Sequence, residues 1–186
     1  MLDWFQLVGK DLFLAGINNS HSGNLSIRQG GKVIITRTGA MLGHLEATDL
    51  VETGLEQDDA NTGRASMELP VHRAIYQATE AQAIVHAHPI FATATSLVDE
   101  VITPVDGEGA FLLGQVPMLK VQNTIASDEV AAKLPVLLKE YKIVMVKGHG
   151  SFAIGKTLEE AFKYTNSLEN SCKIAYYAKT LRNNTL

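Results

Sequence analysis

Residues 2–15 place Leu2, Phe5, Val8, Leu12 and Ala15 at three- and four-residue spacing, which predicts an amphipathic helix stopped by Gly16. The polar run INNSHSG (17–23) breaks the pattern and reads as a loop. NLSIR and KVIIT are short β-prone runs joined at Gly30–Gly31, a hairpin signal. A loop rich in Gly and Thr, TRTGAMLGHLEATD, comes next, and residues 50–65 hold a weak strand and the turn-rich QDDANTGR. From Met67 to Ala81 the helical period returns, with Val71, Ala74, Ile75 and Ala78 on one side.

Ala83–His88 reads as a strand ended by Pro89, and IFATATSLV as a small-residue helix. Val101–Val105 and Val116–Val121 are strand-like. Ser127 is the N-cap of a predicted helix to Tyr141, in which Pro135 predicts a kink or early break. Ile143–Val146 and Phe152–Ile154 flank the turn GHGS, and Thr157 with Glu160 forms a capping box before a long helix over 158–182. Helices and strands are mixed, with hairpin-like pairs rather than strict alternation. That predicts a mixed α/β (α+β) fold with a largely antiparallel sheet flanked by helices. Neither a linker nor a repeat divides the 186 residues, so a single domain over 1–186 is expected.

Composition narrows the function. The net charge of −4, with both signs scattered, gives no basic field for nucleic acid or an anionic membrane. No apolar run reaches about 18 residues, and the N-terminus lacks a basic region followed by an unbroken apolar stretch. A cytoplasmic protein without membrane partners is the expectation. The one cysteine, Cys172, can form no internal disulfide and sits in a predicted helix, which suits a buried, inert thiol.

The chemistry gathers in the histidines. His86 and His88 are two apart on a predicted strand, so both imidazoles share one sheet face. Alone, the pair reads equally as a ligand pair or as hydrogen-bonded surface histidines. His149 lies between Gly148 and Gly150, which allow a tight turn. Three imidazoles at two strand ends describe a metal site with open positions; zinc is favoured, while manganese, iron or cobalt suit the same donors. Glu68 opens a helix, either as a residue favoured by the helix dipole or as a general base beside a polarised carbonyl. Gly23–Asn24, Thr38–Gly39 and Ser66 are turn or helix-start positions that can nest an anion. Arg28 or Arg37 could add charge there, or could simply be solvated. His72 makes an ExxxH pattern with Glu68 but reads foremost as a helix-face histidine, and His21 and His44 read as loop histidines.

GNLSIR, ITRTG, SMELPVHRAIY, VHAHP and VKGHGSFAIGKTLEEAF occur in the order found in the class II aldolase and adducin family, which the chain resembles from about residue 3 to 182. That family includes fuculose-phosphate aldolase, ribulose-5-phosphate 4-epimerases and methylthioribulose-1-phosphate dehydratase. The resemblance implies a single three-layer α/β/α domain around a central mainly antiparallel sheet, and subunits arranged as a homotetramer. It implies one divalent metal on His86, His88 and His149, with Glu68 as acid/base residue. It places Gly23, Asn24, Thr38, Gly39 and Ser66 around the phosphate of a small phosphorylated sugar. Glutamate at position 68 matches the aldolase or dehydratase pattern, since the epimerase branch usually carries aspartate. The implied function is reversible aldol cleavage of a small ketose 1-phosphate to dihydroxyacetone phosphate and an aldehyde through an enediolate. Dehydration or 4-epimerisation of a related sugar phosphate, or a non-catalytic adducin-like interaction module, are the alternatives. Two positions depart from the aldolase pattern: Met67 stands where a second consecutive serine is common, and VITPVDGEGAFLLG holds Asp106 and Glu108 but no tyrosine.

Overall fold

A computed structural model describes residues 1–183. Helix α1 (Leu2–Leu14) precedes the hairpin β1 (Asn24–Gln29) and β2 (Lys32–Thr36), then β3 (Leu50–Gly54). Helix α2 (Leu69–Ala78), β4 (Ala83–Ala87), α3 (Ile90–Val98), β5 (Val101–Ile102) and α4 (Gly107–Leu113) follow. The chain continues with β6 (Val116–Leu119), α5 (Asp128–Leu138), β7 (Ile143–Val146), β8 (Gly150–Gly155) and α6 (Leu158–Asn183). The eight strands form one sheet in the order β3-β2-β1-β4-β8-β7-β6-β5. Every neighbouring pair is antiparallel except β6 and β7. The mainly antiparallel sheet between helical layers matches the expected architecture.

Period-two alternation explains the layers. Leu25, Ile34, Ala83, Val85, Met145 and Ala153 face α1 and α6, where Phe5, Leu12, Ala161 and Leu168 are buried. Val33, Ile35, Ile84, Val144 and Phe152 face α2 and α5, where Ile75, Tyr76, Val130 and Leu134 are buried. Burying each such side chain contributes roughly 1.5–3 kcal/mol, so the two faces hold the helices without a disulfide. Cys172 is buried and free, with burial pushing its thiol up to about 12, so it is inert near neutral pH.

Several boundaries differ from the expectation, among them the end of β6 at Leu119 rather than Val121 and the end of α2 at Ala78 rather than Ala81. Helix α2 starts after Glu68, which becomes its N-cap, because Pro70 suits only the first turn. Helix α5 runs through Pro135 to Leu138, since Val130, Leu134 and Leu138 bury one face and offset the lost bond. The strand expected over Val101–Val105 is two residues long, and the unforeseen α4 follows, with Gly107 and Gly109 masking it in the sequence. The Asp106 carboxylate caps it by accepting from the Gly109 amide at 2.8 Å.

Candidate metal centre

Strand β4 lies near the middle of the sheet, between β1 and β8. Its alternation turns His86 toward the α2/α5 side, where the ring stacks on Phe152 of β8 at 4.0 Å between centroids and 18° between planes. His88 follows two residues later, just past the end of β4. His149 lies in the turn joining β7 to β8, and Ala87 pairs with Ser151, so that turn is level with His86 and His88. The three rings converge, with centroids 4.8 Å (86–88), 4.9 Å (86–149) and 4.8 Å (88–149) apart. One nitrogen from each lies within 4.8 Å of the others.

Glycine makes the convergence possible. Gly148 takes a φ of +71°, open to glycine at little cost. A Cβ on Gly150 would stand 2.4 Å from the Ala87 carbonyl oxygen and 3.0 Å from His88 Cδ2. The turn and the end of β4 therefore close to a distance that only glycine allows.

The donor set fits a divalent cation. His86 Nδ1–H donates to the Ser151 carbonyl at 3.0 Å, which leaves the Nε2 lone pair free. That Nε2 lies 3.0 Å from His88 Nε2. Two lone pairs at this separation repel unless a proton or a shared cation sits against them. Burial first, then repulsion from His88 and His149, holds His86 well below its usual range. Burial, then His149, lowers His88 to about 4. Burial also lowers His149, with the Thr124 backbone working against it. All three are therefore neutral at pH 7, the ligating form.

Glu68 is buried at the start of α2. Burial raises its pKa, partly offset by the Ala126 amide, which donates to Oε1 at 3.0 Å. Oε2 is buried and has no hydrogen-bond partner among the described residues. Ala126 holds a positive φ of 47°, rare for a residue with a Cβ. Only Ile125 separates Thr124, beside His149, from Ala126, beside Glu68. A span of at most about 7 Å of chain therefore links the carboxylate to the imidazole cluster.

The polar positions converge on the same sheet end. Asn24 pairs with His86 across β1 and β4 and is buried, and its Oδ1 has no hydrogen-bond partner among the described residues. The Ser66 amide donates to the Thr36 carbonyl at 3.1 Å, drawing that segment beside the end of β2. Thr38 Oγ1 accepts from the Met67 amide at 3.1 Å, and Ser66 Oγ accepts from the Glu68 amide at 3.2 Å. Gly23 and Gly39 have positive φ values of 76° and 70°. The Met67 side chain is exposed at the rim.

Other candidates fall elsewhere. His72 is a helix-face histidine on the buried side of α2: it is fully buried, its Nδ1 is 2.6 Å from Ser26 Oγ, and it lies outside the three-imidazole cluster. Ser26 Oγ also meets Tyr76 OH at 2.7 Å. His21 and His44 are exposed. Arg37 is paired with Asp49 at 2.8 Å, and Arg28 donates to the Tyr76 carbonyl at 3.0 Å. Asp106 is committed to capping α4, which packs on α6.

Several supporting residues carried no sequence signal. Ser96 Oγ of α3 accepts from the Gly148 amide at 2.9 Å and steadies the His149 turn. Both oxygens of buried Glu169 accept from the Phe91 and Ala92 amides at 3.0 Å, fixing the start of α3 just after His88. Such long-range pairings join α6 to α3 and leave no local pattern to read.

Comparisons with known proteins bear on the chain's family and fold. Residues 6–176 match the family model described as Class II Aldolase and Adducin N-terminal domain. The crystal structure of L-fuculose-1-phosphate aldolase from Thermus thermophilus superposes with a TM-score of 0.94 at 34% identity, over 100% of this chain and 97% of that one. An L-fuculose phosphate aldolase of Methanococcus maripaludis (strain C7) is 29% identical over 86% of this chain and 87% of its own length. A probable bifunctional methylthioribose-1-phosphate isomerase/methylthioribulose-1-phosphate dehydratase of Nocardia farcinica is 30% identical over 89% of this chain, which spans only 33% of that protein.

Proposed function

Because the chain belongs to the class II aldolase and adducin N-terminal domain family, we propose that it is a divalent-metal-dependent aldolase that reversibly cleaves a small ketose 1-phosphate to dihydroxyacetone phosphate and an aldehyde. The observation that carries this reading is the meeting of three neutral imidazoles within 4.8 Å beside a buried carboxylate. The similarity to fuculose-phosphate aldolases at 34% and 29% identity supports the reaction class.

His86, His88 and His149 would hold the ion, with zinc favoured for a three-imidazole site that keeps positions open. Bound there, it supplies Lewis-acid stabilisation of the charge that gathers on neighbouring substrate oxygens as the carbon–carbon bond breaks. In cleavage, the electron pair of that bond stays on the carbon next to the ketone. The hydroxyl that becomes the aldehyde carbonyl gives up its proton to solvent, and Glu68 delivers a proton to the carbon that keeps the electron pair. In the reverse direction Glu68 removes that proton and solvent returns the other to the new hydroxyl. The raised pKa of Glu68 suits both roles, because the group sits nearer working pH than an exposed glutamate. Gly23, Asn24, Thr38, Gly39 and Ser66 would receive the phosphate through backbone amides and short polar side chains. No lysine Schiff base is required.

Assembly into a homotetramer and a cytoplasmic location complete the reading. The exposed Val98 and Phe111 offer apolar surface for assembly, and among the described residues no helix is long and apolar enough to cross a membrane. A second reading, dehydration of a ketose phosphate, is supported by the Nocardia farcinica relative. Incubation with dihydroxyacetone phosphate and a panel of aldehydes separates the two. New ketose phosphates support the aldolase. Loss of water from ketose phosphates, with no condensation, overturns it in favour of the dehydratase.

A further inference from the structure

The hydrogen-bond ladder of β4 ends at Ala87, so His88 stands where no strand partner can hold its backbone. A side chain from 70 residues earlier takes that place: Asn18 Oδ1 accepts from the His88 amide at 2.7 Å. This is among the shortest backbone-to-side-chain bonds in the structure, and it is made by a residue only 4% exposed.

Asn18 is itself fixed. Its amide donates to the Leu12 carbonyl at 3.3 Å, as does that of Ile17 at 3.0 Å, so the loop after α1 is tied to the last turn of that helix. Buried Ile17 anchors the same loop in the core. Around the carboxamide, the chain gives up side-chain volume. A Cβ on Gly23 would stand 2.5 Å from Asn18 Nδ2 and 2.6 Å from the His86 carbonyl oxygen. The carboxamide is thus wedged between Gly23 and the His86–His88 backbone, against the two histidines that approach each other at 3.0 Å.

We infer that Asn18 is a positioning residue for the metal centre, whose side-chain oxygen substitutes for a missing strand partner and fixes His88 relative to His86. The inference rests on the metal-site reading above and deepens it. Groups of this kind, one bond removed from a ligand, are typically worth about 10- to 100-fold in metal affinity. Asn18 touches no reacting atom in this account and acts only through His88.

Co2+ titration of the metal-free full-length protein, with chelator competition, tests the idea alongside hydrogen exchange at the His88 amide. Asn18→Ala should weaken Co2+ binding about 10- to 100-fold and speed exchange at His88, while the thermal midpoint stays that of a folded protein. Asn18→Asp keeps the acceptor oxygen and should bind no more than about threefold more weakly than wild type, so it serves if the alanine variant does not fold. Wild-type affinity and slow exchange in a folded Asn18→Ala protein overturn the inference and leave the metal site intact. A tenfold loss in Asn18→Asp also overturns it. If the unaltered protein itself takes up no Co2+, the metal-site reading fails, and the positioning role with it.

Discussion

Adding one methyl group at Gly150 should damage the metal centre more than it damages the fold. The new Cβ would lie 2.4 Å from the Ala87 carbonyl oxygen, about 1 Å short of ordinary contact, and 3.2 Å from His86 Cε1. The obstacle is backbone, so β4 and β8 must part by about that distance where Ala87 pairs with Ser151. Overpacking of this kind costs roughly 1–3 kcal/mol of stability. The larger consequence is local, since a metal tolerates ligand shifts of only about 0.2 Å. A misplacement near 1 Å also costs turnover about 100-fold. Gly150→Ala should therefore lose at least about tenfold in metal affinity and about 100-fold in turnover. Gly155→Ala provides the control at the far end of β8, where a Cβ would press on the Ala161 amide nitrogen at 2.8 Å. It should cost stability alone. Denaturant unfolding, metal titration and the aldol assay on both variants give the comparison. Equal metal affinity in the two would refute the argument that the Gly150 approach shapes the site.

Glu68→Gln should retain the metal and lose about 100- to 10,000-fold in turnover, the usual worth of a general acid–base group. Its stability should rise relative to wild type as pH climbs above 4.5, because burial raises the folded-state pKa and the charged form is the disfavoured one; an unchanged or falling difference in denaturant melts contradicts this. Burial lowers His72 to about 3, so the unfolded chain takes its proton first as pH falls from 6.5. The neutral imidazole's contribution is complete above pH 6.5 and about 3 kcal/mol of it is lost by pH 4. Unfolding of His72→Gln should show a correspondingly flatter dependence on pH, and an equal slope would contradict it. Ala126→Gly should match or exceed wild-type stability by up to about 1 kcal/mol, because the positive φ is relieved while the amide bond to Glu68 stays; Ala126→Val should lose more than that, and a thermal melt that ranks valine above glycine would refute the strain.

Much of this was legible in the chain because the signals are local. The helix 2–15, the hairpin around Gly30–Gly31, the Ser127 cap and the long final helix each follow from spacing and capping within one segment. The convergence of His86, His88 and His149 could be anticipated because a spacing of two fixes a shared face and paired glycines mark a turn. Helix α4 stayed hidden because Gly107 and Gly109 are poor helix formers, and packing on α6 decides its state. For His72 the helical pattern gives the face but not the partner, which is Ser26 Oγ, itself bonded to Tyr76. Asn18, Ser96 and Glu169 act across 52 to 78 residues of sequence. No periodicity announces a bond of that range. The positive φ at Ala126 is equally silent, since alanine gives no sign of a left-handed turn.

The most direct measurement is the metal content of the purified protein, taken beside His86→Ala, His88→Ala and His149→Ala variants shown to be folded. Close to one divalent transition-metal ion per chain, falling toward zero in each variant, is the result expected. A folded wild-type chain that neither carries such an ion nor takes one up when it is supplied would contradict the account at its root.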